Sequence, residues 1–383
     1  MPQTIVYISP SSRLLGARRS LLQLVTNLDP ERYRPVVVTN PTGDLVHALQ
    51  NAGITTHPLQ MYAWRKFRYW LQRPFKVRAL ASIFREENAA LIHCNEFHST
   101  PYAIRAARQA APKPLPVLTH MRLSITPRQI RNYDLRSATR VLCVSHAAAR
   151  DFHVWPDWKE RVQVLYNGVD LEEFQPRGTH DGIRQQLGLP LDAFVIGQFG
   201  LVSPRKRAHL ALQALAELKK TLPAPHNFRL LIVGSPGRSD HEYHAQLQQT
   251  VETEGLSDLV RFVPFTPDVV PYYQACDLNL LISNDEGFGR TIIEAGAMGV
   301  PTIGSRIGGI PELIEDGQTG FLIPSDESAA PLTAALHHFL EDNTLSQHLG
   351  SAAREHVLKN FTIASHVQKT MQLYDGILRA PML

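Results

Sequence analysis

The sequence has little of several features that mark particular classes of protein. Its 383 residues include only three cysteines, Cys94, Cys143 and Cys276, which lie in apolar runs and are never spaced as a pair. This spacing argues against a disulfide framework and against a cysteine zinc site. No stretch reaches the ~18 to 20 uninterrupted apolar residues of a membrane-spanning helix. Low-complexity tracts and short-period repeats are also missing, which disfavours solenoids and disordered regulators.

The first residues and the net charge support two further expectations. The first four residues run directly into the apolar Ile5–Ile8 without a basic segment, so we expect no signal peptide and a cytoplasmic protein. Lys and Arg total 39 and Asp and Glu total 35, a formal net charge of +4 that is too small to indicate nucleic-acid binding. At roughly 150 residues per domain, the length predicts two or three domains.

Short β-branched runs alternate with longer segments of helical periodicity, which is typical of parallel βα units. Strands are predicted in the first half at 5–8, 35–39, 90–94, 116–119 and 140–144, and in the second half at 194–199, 228–233, 260–263, 278–282 and 301–303. These runs are almost continuously apolar, as expected for sheets that helices cover on both faces. The sequence therefore predicts an α/β protein with two doubly wound domains that face each other across a ligand-binding cleft.

The domain boundary is predicted near residue 175. An Asn-Gly turn at Asn167 and Gly168 follows the last strand of the first half, and a Pro-Arg-Gly stretch begins at Pro176. These residues favour turns and end regular structure. We expect domains over 1–175 and 176–361, with a C-terminal helix over about 362–383 that packs back on the first domain.

The segment 283–312 carries the most specific pattern. A predicted strand ends at Ile282, a Gly-Phe-Gly loop follows, and a helix is predicted to begin near Arg290. Glycines let backbone amides approach a ligand, and the amides and dipole at a helix start favour an anion such as phosphate. A second glycine turn at 308–312 is again predicted to lie between a strand and a helix.

Two carboxylates flank this predicted phosphate site. Glu286 lies at the mouth of the loop and Glu294 lies inside the helix. A carboxylate that accepts hydrogen bonds from vicinal hydroxyls is a common way to bind a ribose or a sugar. The unit therefore favours a nucleotide-sugar ligand, and the alternative is a pair of solvated glutamates at a helix start beside ordinary turn glycines.

Several separate segments resemble the retaining GT-B glycosyltransferases of glycosyltransferase family 4, also described as glycosyl transferases group 1. Residues 286–294 are similar to its Glu-x7-Glu motif, and the turns at 308–312 and 167–170 occur in the expected order and spacing. The resemblance spans essentially the whole chain and is strongest from about 160 to 325. It implies a GT-B fold, with an acceptor-side Rossmann-like domain and a donor-binding one.

The resemblance also implies roles on the donor side. Glu286 is expected beside the donor sugar, and Glu294 is expected to bind the ribose hydroxyls. The loop and the helix start would hold the donor sugar and the diphosphate through Gly287, Phe288, Gly289, Arg290 and Thr291.

The family pattern Gly-Arg-Leu-x3-Lys-Gly supplies cations for the diphosphate, and this chain alters it. Gly200 and Lys206 match, but Leu201 stands where the family usually has Arg. Arg205 is the expected substitute, and both cations would stabilise the leaving diphosphate, so that no metal ion or cofactor is expected. The alternative is a solvated cationic helix start.

On the acceptor side the resemblance is partial. The loop after the first strand has Gly16 alone, where the family usually has two adjacent glycines and an acidic residue. Arg13, Gly16 and Asn95 are the candidate acceptor contacts. His120 matches a family histidine beside the reacting sugar, where its imidazole or carbonyl would position donor hydroxyls, unless it is an ordinary hydrogen-bonded strand residue.

Positive charge is concentrated in residues 61–80. Between Trp64 and Arg78 the chain has six cations, five aromatic residues and no acid. This composition is typical of a segment at an anionic membrane surface. A groove for an anionic acceptor, nucleic-acid binding and a packed helix with solvated cations are the alternatives.

The predicted function is that of a retaining, hexosyltransferase-type enzyme. It would move a sugar from a nucleotide diphosphate sugar to a glycan, lipid-linked or other hydroxyl acceptor in cell-surface polysaccharide or glycoconjugate synthesis. It would act in the cytoplasm or on the cytoplasmic face of a membrane, and nucleic acid is not an expected partner. Two alternatives stay open: a nucleotide-sugar epimerase of the same architecture and a non-catalytic nucleotide-sugar-binding protein.

Overall fold

The computed structural model describes residues 1–11, 16–154, 159–224, 227–342 and 344–379. The chain divides into two compact units, Met1–Gly168 together with the C-terminal segment that begins at Ile363, and Val169–Thr362. The division lies a few residues before the boundary predicted near residue 175. Within the described residues, no helix combines the length and the apolar character needed to cross a membrane.

The first unit is a parallel sheet with helices packed on both faces. Its elements in chain order are β1 (Gln3–Ser9), α1 (Gly16–Thr26), β2 (Tyr33–Thr39), α2 (Asp44–Asn51), β3 (Thr55–Pro58), α3 (Arg73–Glu86), β4 (Ala89–Cys94), α4 (Thr100–Ala110), β5 (Val117–Met121), α5 (Pro127–Asn132), β6 (Arg140–Cys143), α6 (His146–Ala149), β7 (Val162–Val164) and α14 (Ile363–Arg379). The strand order is β3-β2-β1-β4-β5-β6-β7.

Strand β1 shows why the central strands of the first unit are largely apolar. Successive side chains of a strand point to opposite faces, and both faces are covered here. Val6 and Ile8 pack in one core with residues of α3 and α4. Ile5 and Tyr7 pack in a second core with residues of α1, α2 and α14. The C-terminal helix is therefore part of the first unit's core.

The second unit repeats this architecture with a shorter sheet. Its elements are α7 (His180–Gln186), β8 (Phe194–Phe199), α8 (Ala208–Thr221), β9 (Phe228–Val233), α9 (His241–Thr253), β10 (Val260–Val263), α10 (Val270–Ala275), β11 (Leu278–Leu281), α11 (Arg290–Ala297), β12 (Thr302–Ser305), β13 (Gly320–Ile323), α12 (Ala330–Glu341) and α13 (Leu345–Asn360). The strand order is β10-β9-β8-β11-β12-β13, with parallel pairing throughout. The predicted α/β class with two doubly wound sheets is confirmed.

Each sheet has a point at which the strand order reverses. It lies between β1 and β4 in the first unit and between β8 and β11 in the second. Open α/β sheets bind ligands in the crevice beyond the carboxyl ends of the strands at such a reversal. The segments 200–207 and 283–289 follow β8 and β11, so the fold brings the candidate donor residues together at one switch point.

Candidate functional site

The switch point of the second sheet holds a cluster of two cations and one carboxylate. The Lys206 Nζ donates to Glu286 Oε2 at 2.6 Å, and the Arg205 Nη1 donates to the same oxygen at 3.2 Å. The side chains of Lys206 and Glu286 are only 13% and 14% exposed. The structure thus places Arg205 beside the two predicted site residues, while Leu201 is partly exposed to solvent.

Hydrogen bonds to main-chain carbonyls hold the two loops of this cluster. Gly200, with φ of 114°, lets the chain turn sharply after β8, a conformation that favours glycine. The Gln198 side-chain amide donates to the Lys206 carbonyl at 2.7 Å. The Asn284 amide donates to the Arg205 carbonyl at 3.0 Å, which ties the loop after β8 to the loop after β11.

The glycine turn at 308–312 supports Glu286. The Gly309 amide donates to the Glu286 carbonyl at 3.0 Å. At Gly308 the φ is +54°, and a Cβ would lie 1.9 Å from the same carbonyl oxygen, so any larger residue would push the loop away. The prediction that a helix follows this turn is wrong, because the structure has only a single 3-10 turn there, at Ile310–Glu312.

Electrostatics keep Glu286 ionised. Burial acts to raise the pKa of the Glu286 carboxyl, but the charge of Lys206, and then that of Arg205, outweighs burial and holds the pKa below its ordinary value. Two positive charges against one negative charge leave this cluster with an excess of one positive charge. That excess favours the approach of a further anion.

The helix start predicted near Arg290 is present. Helix α11 begins at Arg290, and Gly289 precedes it with φ of 110°. The Thr291 Oγ1 is buried and has no hydrogen-bond partner among the described residues. Phe288 is buried and packs edge-on against Phe361, with ring centroids 6.3 Å apart, and Gly287 precedes it in the same loop. The unpaired hydroxyl and the helix-start amides suit an anion.

Glu294 is buried and held at both oxygens. The Arg290 guanidinium donates to Oε1 through Nε at 3.2 Å and Nη2 at 3.0 Å. The Tyr273 hydroxyl donates to Oε2 at 3.0 Å, and its ring stacks on Phe199 with centroids 3.8 Å apart. Burial, and then the charge of Glu294, raises the pKa of Tyr273 well above its ordinary value, so the hydroxyl stays a donor.

Tyr273 is a residue that the sequence analysis missed. It lies in α10, which precedes β11. Its contact with Glu294 joins residues that no motif links, so no signal in the sequence marked it.

In the first unit, Asn95 and the start of α1 lie together. The Asn95 Nδ2 donates to a main-chain carbonyl in the first turn of α1, the helix that begins at Gly16, at 3.3 Å. Arg122, which the sequence analysis also missed, donates to Asn95 Oδ1 at 2.6 Å and to Asn167 Oδ1 at 2.8 Å. The predicted acceptor contact Arg13 lies outside the described residues.

His120 lies near the carboxyl end of β5 and is 1% exposed. Neither of its ring nitrogens has a hydrogen-bond partner among the described residues. Its ring stacks on that of His93, with centroids 5.6 Å apart and an angle of 25°. Burial lowers the pKa of His120 well below its ordinary value, and Arg122 adds to this, so the ring is neutral at pH 7.

The described residues contain no group of three His, Cys, Asp or Glu side chains placed to hold a metal ion. The three cysteines are buried free thiols. Burial raises the pKa of the Cys94 thiol to about 12, so this cysteine is an unreactive core residue.

Two family models match the chain, one in each half. The family described as Glycosyltransferase Family 4 matches residues 15–173, and the family described as Glycosyl transferases group 1 matches residues 180–356. Together the two matches span most of both compact units.

Individual relatives agree with these matches. D-inositol 3-phosphate glycosyltransferase of Streptomyces avermitilis is 33% identical over 223 residues, which cover 57% of this chain and 48% of that protein. N-acetyl-alpha-D-glucosaminyl L-malate synthase of Bacillus anthracis is 26% identical over 310 residues, covering 78% of each protein. The chain spans about half the length of the D-inositol 3-phosphate glycosyltransferases that it matches.

Solved structures show the same architecture. Anabaena HepE, solved in complex with UDP-glucose, has a TM-score of 0.84 at 25% identity, with 97% of this chain and 99% of that chain covered. WaaG, a glycosyltransferase involved in lipopolysaccharide biosynthesis, has a TM-score of 0.73 at 18% identity, with 97% of this chain and 100% of that chain covered, which shows a shared fold. The predicted GT-B fold class is confirmed, and the chain belongs to glycosyltransferase family 4, with a second unit of the group 1 type.

Proposed function

We propose that this protein transfers a sugar from a nucleotide diphosphate sugar to a hydroxyl acceptor with retention of anomeric configuration. The observation that carries the proposal is the convergence at one switch point of Lys206, Arg205 and Glu286 with the start of α11 and the buried Glu294. Relatives named as glycosyltransferases and a neighbour solved with UDP-glucose support it.

Each part of this arrangement has a task in binding the donor. Glu294, fixed by its contacts to Arg290 and Tyr273, would accept hydrogen bonds from the ribose hydroxyls. The start of α11 and the Thr291 hydroxyl would bind the diphosphate. Lys206 and Arg205 would stabilise the charge that develops on the diphosphate as it leaves, so the reaction would need no metal ion.

Retention would follow from a same-face displacement. The bond from the anomeric carbon to the diphosphate oxygen breaks, the acceptor oxygen bonds to the same face of that carbon, and the acceptor proton passes to the departing diphosphate. No protein nucleophile is required. Glu286 would position the donor sugar by accepting hydrogen bonds from its hydroxyls, with its carboxylate held in place by Lys206 and Arg205.

A donor screen followed by a transfer assay tests the function. A thermal-shift panel of nucleoside diphosphates and nucleotide sugars identifies the base and sugar, since a ligand well above its dissociation constant raises stability by a few kcal/mol. The donor found is then incubated with hydroxyl acceptors, and the anomeric configuration of the product is read by NMR. Isomerised donor would indicate an epimerase, and binding without transfer or hydrolysis would indicate a binding protein.

The proposal includes a glycan or lipid-linked acceptor and contact of residues 61–80 with an anionic membrane. Four large apolar side chains of this segment are exposed: Phe67 by 81%, Trp70 by 55%, Leu71 by 72% and Phe75 by 68%. Exposed apolar side chains grouped in this way mark an interaction surface. The same surface carries the exposed cations Arg65, Lys66 and Arg68.

These apolar rings do not belong to the packing face of the helix. Helix α3 buries Val77, Leu80, Ala81 and Phe84 in the core, whereas the exposed rings lie at its start and in the 3-10 turn at Phe67–Gln72 that precedes it. Cations beside exposed aromatic rings match an anionic bilayer, with rings at headgroup depth. Such contact would place the enzyme at the membrane where cell-surface glycoconjugates are assembled.

Vesicle co-sedimentation tests this membrane contact. We expect binding at low salt to vesicles that contain phosphatidylglycerol and not to neutral phosphatidylcholine vesicles, and loss of binding on charge reversal to Glu at Arg65, Lys66 and Arg68. A matched control reverses three exposed lysines elsewhere, Lys113, Lys359 and Lys369. Equal loss in both triple variants would show that only the total charge matters and would reject this surface.

A further inference from the structure

A row of buried polar side chains crosses the first unit beneath the C-terminal helix, α14. The Tyr7 and Tyr374 hydroxyls are 2.8 Å apart, and the Tyr374 hydroxyl is 2.7 Å from His93 Nδ1. All three side chains are buried. Tyr7 and His93 are register partners on β1 and β4, whereas Tyr374 comes from α14. Helix α14 therefore supplies Tyr374, the middle side chain of this row.

The row of buried polar side chains ends at His120. The His93 and His120 rings stack with their centroids 5.6 Å apart. Among the described residues, His93 Nε2 and both ring nitrogens of His120 have no hydrogen-bond partner. A buried polar atom without a partner costs free energy, so native structures retain one for a reason such as ligand binding. The arrangement combines one imidazole that is held by a single hydrogen bond with a second whose nitrogens have no partner among the described residues.

We propose that Tyr374 of the C-terminal helix is a positioning residue for His120 and acts through His93. The Tyr374 hydroxyl contacts both the Tyr7 hydroxyl and His93 Nδ1, so it determines which nitrogen of the neutral His93 ring carries the proton. This fixes the tautomer and the plane of His93, and the stacked His120 takes its orientation from that plane. The inference rests on the proposed function, because His120 is expected beside the reacting sugar only through the family resemblance.

The Arg122 guanidinium places a positive charge near the two rings. Arg122 follows β5, and its charge acts on both imidazoles. His366 of α14 also acts on both and is itself bonded to the Tyr166 carbonyl at 2.7 Å. Burial, and then these neighbours, lowers the pKa of both rings, which agrees with two neutral imidazoles.

Tyr374→Phe, compared with Tyr33→Phe, tests the proposal. Each substitution removes one hydroxyl that links α14 to the sheet, since Tyr374 lies on α14 and contacts Tyr7 and His93, whereas Tyr33 of β2 donates to Asp375 Oδ1 at 2.5 Å and to the Met371 carbonyl at 3.2 Å. We expect Tyr374→Phe to lower kcat about ten- to a hundredfold, as a small misplacement of a reacting group does, with the donor KM unchanged. Tyr33→Phe should leave kcat unchanged. Equal effects of the two variants on kcat would overturn the proposal.

A double-mutant cycle separates positioning from general damage to the fold. In a His120→Asn background, Tyr374→Phe should lower kcat no further, because its effect passes through the missing ring. Additive losses would indicate a merely structural role.

Imidazole 15N NMR provides a measurement that needs no turnover. Tyr374→Phe should shift the His93 Nδ1 and His120 ring signals, while Tyr33→Phe should not. Unshifted His120 signals in Tyr374→Phe would reject the coupling even in an active enzyme. If the wild-type protein transfers no sugar, the proposed function fails, and the NMR comparison still decides whether Tyr374 orients His120.

Discussion

Replacing Glu286 with Gln should strengthen the binding of a free nucleoside diphosphate. In the structure the Glu286 carboxylate accepts from both Lys206 and Arg205. A diphosphate would bring its anionic oxygens to the same two cations. The carboxylate therefore competes with the diphosphate for those cations and repels it, and the neutral amide removes both effects.

The size of the effect follows from the exposure of these groups. The Arg205 side chain is 38% exposed, so its ion pair with Glu286 contributes little. The Lys206 contact at 2.6 Å lies between largely buried side chains, and such a charge-assisted hydrogen bond contributes about 1.5–3 kcal/mol. Lys206 has three N–H donors and can donate to Glu286 and to the diphosphate at the same time. Replacing Glu286 therefore returns only part of this free energy to diphosphate binding. We expect about 1 kcal/mol, or roughly fivefold tighter binding.

Isothermal titration of the nucleoside diphosphate found in the donor screen measures this effect, and Asp285→Asn is the matched control. Asp285 is exposed and contacts Arg205 only through its main-chain carbonyl, so its replacement changes the net charge equally without touching the cluster. An unchanged or larger dissociation constant of that diphosphate in Glu286→Gln would refute the assignment of Lys206 and Arg205 to the diphosphate. Equal gains in both variants would reduce the effect to total charge.

Three further predictions address other parts of the two units. Tyr273→Phe should weaken binding of the nucleoside diphosphate found in the donor screen about fivefold, and Glu294→Ala should weaken it by ~1 to 3 kcal/mol, because each substitution disturbs the proposed ribose carboxylate. Unchanged affinity for that diphosphate by titration would refute this role. Arg205→Ala should lower kcat more than donor affinity if its charge acts on the leaving group, and an equal loss in both steady-state parameters would count against that. Burial lowers the pKa of His93 and His120, so they take up protons mainly on unfolding, and the free energy of unfolding should fall below about pH 6.5 by up to ~1.4 kcal/mol per pH unit for each ring. In thermal denaturation, the fall of stability with falling pH should be shallower for His93→Gln than for the wild-type protein. An unchanged slope would mean that the His93 ring is not kept neutral.

Central strands and glycine loops were readable from the sequence for physical reasons. Strands such as β1 and β8 are buried on both faces and appear as apolar runs. The edge strands β3 and β13 were missed, since each has four residues and is only partly buried. The start of α11 was predicted correctly, because Gly289 can adopt the positive φ of 110° from which the chain enters the helix.

The candidate site was predictable only where its parts are neighbours in the chain. Glu286, the glycine loop and Glu294 form one strand-loop-helix unit, so their spacing alone indicates an anion site with flanking carboxylates. The support of Glu286 by Gly308 is different, because it depends on how two loops pack. The roles assigned to individual site residues remain predictions.

The sequence by itself determined the α/β class, the two-part organisation and the chemical types of the donor-side residues, since periodicity and motif spacing are local properties. Only the tertiary structure decided which side chains meet. It placed Arg205 on Glu286, Tyr273 on Glu294 and Tyr374 on His93. These pairs join residues that are distant in the chain, and their contacts depend on strand order and helix packing, which leave no periodic trace in the sequence.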